Sequence, residues 1–306
     1  AGSIDGAARL LDVNTRTFRR RLEGTSTLVD ADGNVRLQWI KETNDRKAGI
    51  TEAVIAGLTD KIRRPHIIAK PKRSLPDDLL NVYLLTDYHV GMYAWAEETG
   101  ADWDINIAEE MGMRWFKHAI ARSPDAKTAV FAQLGDFIHF DSILPVTPTS
   151  GHVVDADTRH QKVIRVAMRI IRRGIDLMLH KHENVHLICA EGNHDISGSS
   201  WLREAMAIIY EHHPRVTVDT RPDPYYCYEF GKVSLFFHHG HKKKMELLPE
   251  SFAYKFREVF GRTKFSVGHM GHYHHAKVLE NSLMTIEQHR TLAAPDSHAS
   301  RGAYGS

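Results

Sequence analysis

The sequence predicts an α/β layered protein with a small basic helical segment in front of it. Three observations lead there. From Leu79 onward, short apolar runs alternate with amphipathic helical patterns. Clusters of Asp, Asn and His sit just past five of those runs. The charge is also uneven: residues 1–75 hold 15 Lys/Arg against 9 Asp/Glu, a net of +6, and the remainder holds 25 against 29, a net of −4.

The 306 residues can form one large domain plus a small one, and 42% apolar with 25% charged residues is ordinary for a globular chain. No run of about 18 apolar residues occurs, and the first residues lack an apolar leader core, so a cytoplasmic chain is expected. The two cysteines, Cys189 and Cys227, lie in strand-like runs and read as buried reduced thiols. Histidine is abundant at 21 residues; His180, His182, His212 and His213 fall at polar helix ends and read as solvated.

Residues 1–65 read as a helix-turn-helix domain. Asp5 caps a first helix through Leu11, Asp12-Val13-Asn14 is the turn, and Asn14 or Thr15 caps a second helix through Leu22. Phe18 and Leu22 face inward, which leaves Arg16, Arg19 and Arg20 for nucleic acid. A strand–turn–strand signal follows, with Leu28-Val29 and residues 35–40 flanking Asp30-Ala31-Asp32-Gly33-Asn34, and it could form a wing. A third helix is expected over 48–63, on the stripe Ile50, Val54, Ile55, Leu58 and Ile62. Residues 66–78, rich in Pro and basic groups, read as a linker to a domain at 79–306.

In that domain, strands are expected at 79–86, 128–134, 185–190, 233–238 and 264–268. Helices are expected near 105–122, 158–182, 199–212 and 246–260. Each strand runs into a polar cluster: Asp87-Tyr88-His89, Gly135-Asp136, Gly192-Asn193-His194-Asp195, His239-Gly240-His241 and Gly271-His272-Tyr273-His274. Ligands in open α/β sheets bind beyond the strands' carboxyl ends, so the five ends converge on one place. In Asp87-x-His89 and His272-x-His274, alternate residues of an extended segment would point the same way. Each piece alone occurs by chance; all five in order do not.

In this order the clusters resemble the calcineurin-like metallophosphoesterase superfamily, across roughly residues 79–290, and more narrowly its phage-encoded members with an N-terminal helix-turn-helix. The resemblance implies a β-sandwich flanked by helices. It implies two divalent transition ions, Mn first, with Fe, Zn or Ni as alternatives. Asp87, His89, Asp136 and His274 would hold one ion, and Asp136, Asn193, His239 and His272 the other. It further implies hydrolysis of a phosphoester by a hydroxide bridging the ions, with His194 at the phosphate and Asp195 orienting His194. His239 is chosen over His238 and His241 because the family's ligand precedes a glycine at this strand end.

Around the site, His139, Arg159 and Lys242 are candidate substrate contacts, and the polar loop 147–159 is a candidate lid. Tyr93, Trp95 and Trp103 could stack on bases or belong to the core. The basic front segment favours a phosphodiesterase or nuclease acting on DNA; related nucleases often dimerise, so the resemblance leaves a homodimer open, with no interface legible in the sequence. A small-molecule phosphatase, a cyclic-nucleotide phosphodiesterase, and a DNA-binding regulator with a vestigial site are the rival readings.

Overall fold

The structure is a computed structural model that describes residues 25–29, 35–40 and 67–302. The chain divides into two compact units, Ala1–Ala56 and Gly57–Ser306, and each is described by itself. In the first, β1 (Thr25–Val29) and β2 (Val35–Ile40) pair antiparallel with Leu28 opposite Leu37, which is the hairpin read from the sequence. The expected helix-turn-helix, its Arg16, Arg19 and Arg20, and the helix at 48–63 lie outside the described residues.

The second unit contains two stacked sheets with helices outside them. Its first sheet is wholly parallel, in the order β3 (Leu80–Leu85), β4 (Thr128–Gln133), β5 (Asn184–Cys189), β6 (Val216–Val218). Parallel neighbours need crossovers. These are α1 (Ala96–Thr99) with α2 (Ile105–Arg122), then α3 (His160–Leu179), then α4 (Ile196–Tyr210). The strands are apolar throughout because both faces are covered. Ala129 and Phe131 of β4 pack toward the helices, beside Phe116, Ile170 and Ile171. Val130 and Ala132 point the other way, into a layer shared with Leu235 and Phe237 of the second sheet.

That second sheet is mixed, in the order β10 (Lys277–Glu280), β11 (Thr285–Gln288), β9 (Phe265–Met270), β8 (Val233–His238), β7 (Tyr226–Phe230). β8, β9 and β11 run parallel, and β7 and β10 close the edges antiparallel. Its outer face, with Phe236 and Ile286, is covered by Leu248 and Phe252 of α5 (Leu248–Lys255) and by Phe256 and Val259 at α6 (Arg257–Arg262). The single helix expected over 246–260 is therefore two. Phe256 leaves the helical conformation (φ −117°, ψ 43°), with its ring 5.7 Å from that of Phe236.

Asp104 caps α2 by accepting the N–H groups of Asn106 and Ile107, each at 2.7 Å. The α2–α3 contact is close enough that a Cβ at Gly174 would overlap the Phe116 ring. The stretch read as a linker lies against the body. Leu75 is buried, Arg215 donates to the carbonyl of Ile68 at 2.5 Å, and Lys70 and Arg73 pair with Glu183 and Asp125. Both cysteines are buried free thiols. Among the described residues, no helix is long and apolar enough to cross a membrane. A last short helix, α7, spans Ser297–Arg301.

Candidate metal centre

All five polar clusters meet, but they end strands of two different sheets. β3, β4 and β5 deliver three of them, and β8 and β9 deliver two. The loops after β3 and β4 continue the ladder beyond the strands: Asp87 N–H bonds Gly135 O at 3.1 Å, His89 N–H bonds Asp136 O at 3.0 Å, and Val90 N–H bonds Phe137 O at 2.9 Å.

The backbone there is not extended. Asp87 (φ 50°), His89 (48°), Asp136 (50°), His272 (75°) and His274 (59°) all lie in the left-handed region, which replaces the alternation expected for Asp87-x-His89 and His272-x-His274. Such a conformation is uncommon outside glycine and costs about 1–3 kcal/mol per residue, so it persists where the surroundings over-determine it. The hydrogen bonds that hold it are visible. The Asp136 carboxylate accepts His194 N–H at 2.8 Å, and Asp87 accepts His272 N–H at 2.9 Å and the Thr86 hydroxyl at 2.5 Å.

The donor atoms form two neighbouring groups. In one, single atoms of Asp87, His89 and His274 lie within 4.8 Å of one another; in another, atoms of Asp136, His239 and His272 do the same. His239 Nε2 stands 3.1 Å from Asp136 Oδ2, 3.1 Å from Asn193 Oδ1 and 3.9 Å from Asp87 Oδ1, so it ties the two groups together. His274 Nε2 is 3.3 Å from Asp87 Oδ1. His239 donates from Nδ1 to Leu134 O at 2.9 Å, which turns Nε2 toward the carboxylates. Of its neighbours, His238 packs away from the donor groups on Tyr225, with ring centroids 4.5 Å apart, whereas the His241 ring stands beside the centre, 5.3 Å from that of His239.

Burial opposes charge at every one of these groups, and the charges answer one another. Asp87 and Asp136 are held below the usual carboxylate range despite burial, chiefly by His239. Burial works against a charged His239 too, but Asp136 and Asp87 raise it to about 9. His89 is pushed well down by burial and by His194, and His272 to about 4 by burial and His239. Carboxylates, an amide oxygen and imidazoles are donors that suit divalent transition ions. The proton on His239 occupies a place where such an ion would supply the positive charge. His139 Nε2 and both ring nitrogens of His241 are buried without a hydrogen-bond partner, as expected of a centre built around something further.

The other expected site residues fall into distinct places. The Nδ1–H of His194 donates to the carbonyl of His139 at 2.8 Å, and its ring lies 4.9 Å from that of His89. Asp195 does not orient His194. Its carboxylate accepts the backbone N–H groups of Gly192, Asp136, Phe137 and Ile138, at 2.8, 3.2, 2.7 and 3.3 Å. Burial, with Asp136 close by, pushes its pKa up to about 7. His139 is fully buried, with Nδ1 at 3.1 Å from His89 Nδ1 and its ring stacked on His194, so it supports those two rings from behind. Lys242 pairs with Glu191 at 2.9 Å, beside the Gly192 loop. Arg159 is exposed at the start of α3.

Trp103 is core, edge-on to Tyr88 with its indole N–H toward His89 O at 3.4 Å, whereas Tyr93 and Trp95 are half exposed. Loop 147–159 is fastened to the segment after β3 by Tyr93 N–H to Asp155 O and Asp157 N–H to Gly91 O. The Asp157 side chain accepts Ile105 N–H of α2 at 3.2 Å.

No family model matches the chain, and no curated protein sequence does. Solved structures do resemble it. One is a conserved uncharacterized protein, a predicted phosphoesterase, from Streptococcus pneumoniae (12% identity, 70% of this chain and 74% of that one, TM-score 0.31). Another is a novel archaeal phosphodiesterase (14% identity, 69% of this chain and 83% of that one, TM-score 0.34). A third is the phosphopantetheinyl hydrolase of Mycobacterium tuberculosis (9% identity, 71% of this chain and 91% of that one, TM-score 0.31). At such identities and TM-scores the chemistry rests on the ligand geometry alone.

Proposed function

We propose that the chain is a two-metal phosphoester hydrolase of the calcineurin-like kind, and that it acts on the phosphodiester bonds of DNA. One observation supports the hydrolase reading: two carboxylates, an amide oxygen and four imidazoles converge as two neighbouring donor groups, and the charge of Asp136, a member of one, is felt by both. That charge acts on His89 and His274 of one group and on His239 and His272 of the other.

Asp87, His89 and His274 would hold one ion; His239, His272 and Asn193 would hold the other, with Asp136 shared. Two bound ions, Mn first among Mn, Fe, Zn and Ni, would polarise the phosphoryl oxygens and supply an activated water. The chain's own groups do the rest. Asp136 is fixed by His194 N–H, so ligand and acid–base loops move as one. His194, anchored through Nδ1, keeps its other nitrogen for the phosphoryl oxygen or the leaving oxygen. Phosphorus needs no nucleophilic side chain here, and both thiols are buried, with burial pushing each up to about 12.

DNA as the substrate is supported by the net charge of +6 over residues 1–75 and by Arg16, Arg19 and Arg20. The test is a matrix of divalent ions against single-stranded DNA, double-stranded DNA, bis-nitrophenyl phosphate and mono-nitrophenyl phosphate, run on wild type and Asp136→Ala. DNA cleavage with Mn²⁺ that disappears in Asp136→Ala is expected. Preference for the monoester without DNA cleavage would overturn the nuclease reading in favour of a small-molecule phosphatase. Activity retained in Asp136→Ala would overturn the centre itself.

A further inference from the structure

A second group of donors lies outside this centre. His269 sits near the end of β9, on the face toward the other sheet, its ring 5.6 Å from that of Phe237 at an interplanar angle of 29°. The parallel pairing of β9 with β11 sets Glu287 directly across from it. His289 follows two residues later, and its N–H bonds Met270 O at 2.9 Å, so the ladder continues past β11. A period of two puts Glu287 and His289 on one side. His269 Nδ1 thus comes to 3.1 Å from His289 Nε2 and 3.6 Å from Glu287 Oε2, and the three donor atoms lie within 4.8 Å of one another.

We propose that His269, Glu287 and His289 bind a third divalent transition-metal ion, of the zinc class, separate from the catalytic pair. Ligand bonds of ~2.0–2.1 Å in a tetrahedral site place neighbouring donors about 3.3 Å apart. The two separations from His269 Nδ1 bracket that value, and the third pair of donors lies within 4.8 Å, so the three atoms can close on one ion. Two imidazoles and a carboxylate are a donor set that zinc accepts, with water at the fourth position. The Glu287 side chain is 44% exposed and gives the ion a way in.

A bare imidazole–imidazole hydrogen bond accounts for the 3.1 Å contact, but it assigns no role to the carboxylate on the adjoining strand. The ion would engage all three. It would also fasten β9 to the segment that carries Thr291, whose hydroxyl donates to Asp87 O at 2.6 Å. The third site therefore stands behind the backbone of a catalytic ligand without touching the reacting atoms.

The test is zinc content. The full chain, stripped and reloaded with Zn²⁺ from a chelator buffer, is compared with His289→Ala and Glu287→Gln by elemental mass spectrometry. Thermal melts of the metal-free proteins show whether each variant folds as wild type does, and the exposed Glu287→Gln serves if His289→Ala does not. The expected result is one equivalent fewer in each folded variant than in wild type, together with a smaller rise in melting temperature on adding Zn²⁺. Equal content, or a drop other than one equivalent, overturns the site.

Discussion

The Asp195 carboxylate accepts the backbone N–H of Phe137 at 2.7 Å, across 58 residues of chain. Through this bond and those to Gly192, Asp136 and Ile138, one buried side chain staples the loop after β4 to the loop after β5. Asp195→Ala leaves these donors without an acceptor, and a single orphaned buried donor costs about 1–3 kcal/mol. The variant should lose at least about 2 kcal/mol of metal-free stability and bind divalent ions more weakly. At saturating metal, its pH–rate profile should keep the wild-type shape, because no proton passes through Asp195. Denaturant melts, metal titration and the profile check this. Wild-type stability with a displaced profile would restore Asp195 to the role of orienting His194.

Two glycines of the ligand loops are needed for space. A Cβ at Gly271 would overlap Thr86 Oγ1 and lie 2.5 Å from Asp87 Oδ2; one at Gly192 would overlap the Asp136 carboxylate and backbone nitrogen. Neither neighbour can yield without moving a ligand. Gly271→Ala and Gly192→Ala should each cut metal affinity and turnover by at least about tenfold, the equivalent of about 1.4 kcal/mol. Gly261→Ala in α6, where nothing lies within 4 Å and φ is not positive, is the control on the same reaction. Wild-type metal affinity in both ligand-loop variants would mean that the loops tolerate a shift that the packing says they cannot.

Much of this was legible because strands buried on both faces read as continuous apolar runs, as β4 does, and because each ligand cluster directly follows such a run. Four described strands of the second unit, β6, β7, β10 and β11, are absent from the sequence reading, although β11 alternates between half-buried and buried residues. β10 is mostly exposed and β6 is three residues long, so neither shows periodicity. The split of five strand ends between two sheets depends on non-local pairing, as does the His269–Glu287 register. His182 looked solvated at a helix end, yet it is fully buried, because the chain turns inward there to hydrogen-bond Tyr83. The left-handed conformation of Asp87, His89, Asp136, His272 and His274 is not legible locally either: Asp and His enter that region more often than most side chains, but still rarely, and nothing in the clusters says which of them do so.

His194 is the group whose loss should separate chemistry from metal binding. It is tied to His139 O, and its own N–H supports Asp136, but neither bond needs a second ring nitrogen. Acid–base groups of this kind contribute about 10²–10⁴ in rate. His194→Gln should therefore lower kcat by that order on a diester with a poor leaving group, and much less on nitrophenyl esters, which need no proton on departure. Metal content should stay at the wild-type value. If metal content falls in step with kcat, His194 is a ligand, grouped with His89 and His139, whose nitrogens also come within 4.8 Å of its own.

His182 makes the fold sensitive to acid at a point remote from the ligand groups. Its Nδ1–H donates to Ala126 O at 2.8 Å, and Nε2 accepts the Tyr83 hydroxyl at 2.8 Å. Burial lowers its pKa below 6.5, outweighing the upward pull of the Ala126 carbonyl. Protonation would put a second N–H against the phenol, which would then have to turn its hydrogen to Ser123 Oγ, 2.7 Å away. The unfolded chain binds this proton near pH 6.5 and the folded chain resists it, so stability is intact above that pH and declines as the pH falls toward the lower folded value. For one proton the slope is at most about 1.4 kcal/mol per pH unit. Urea midpoints of metal-free wild type and His182→Gln, followed from pH 7.5 to 5.0, should diverge, with wild type losing more; comparing two metal-free proteins cancels the titration of the metal ligands. Parallel curves would show that the Tyr83–His182 pair is indifferent to its proton.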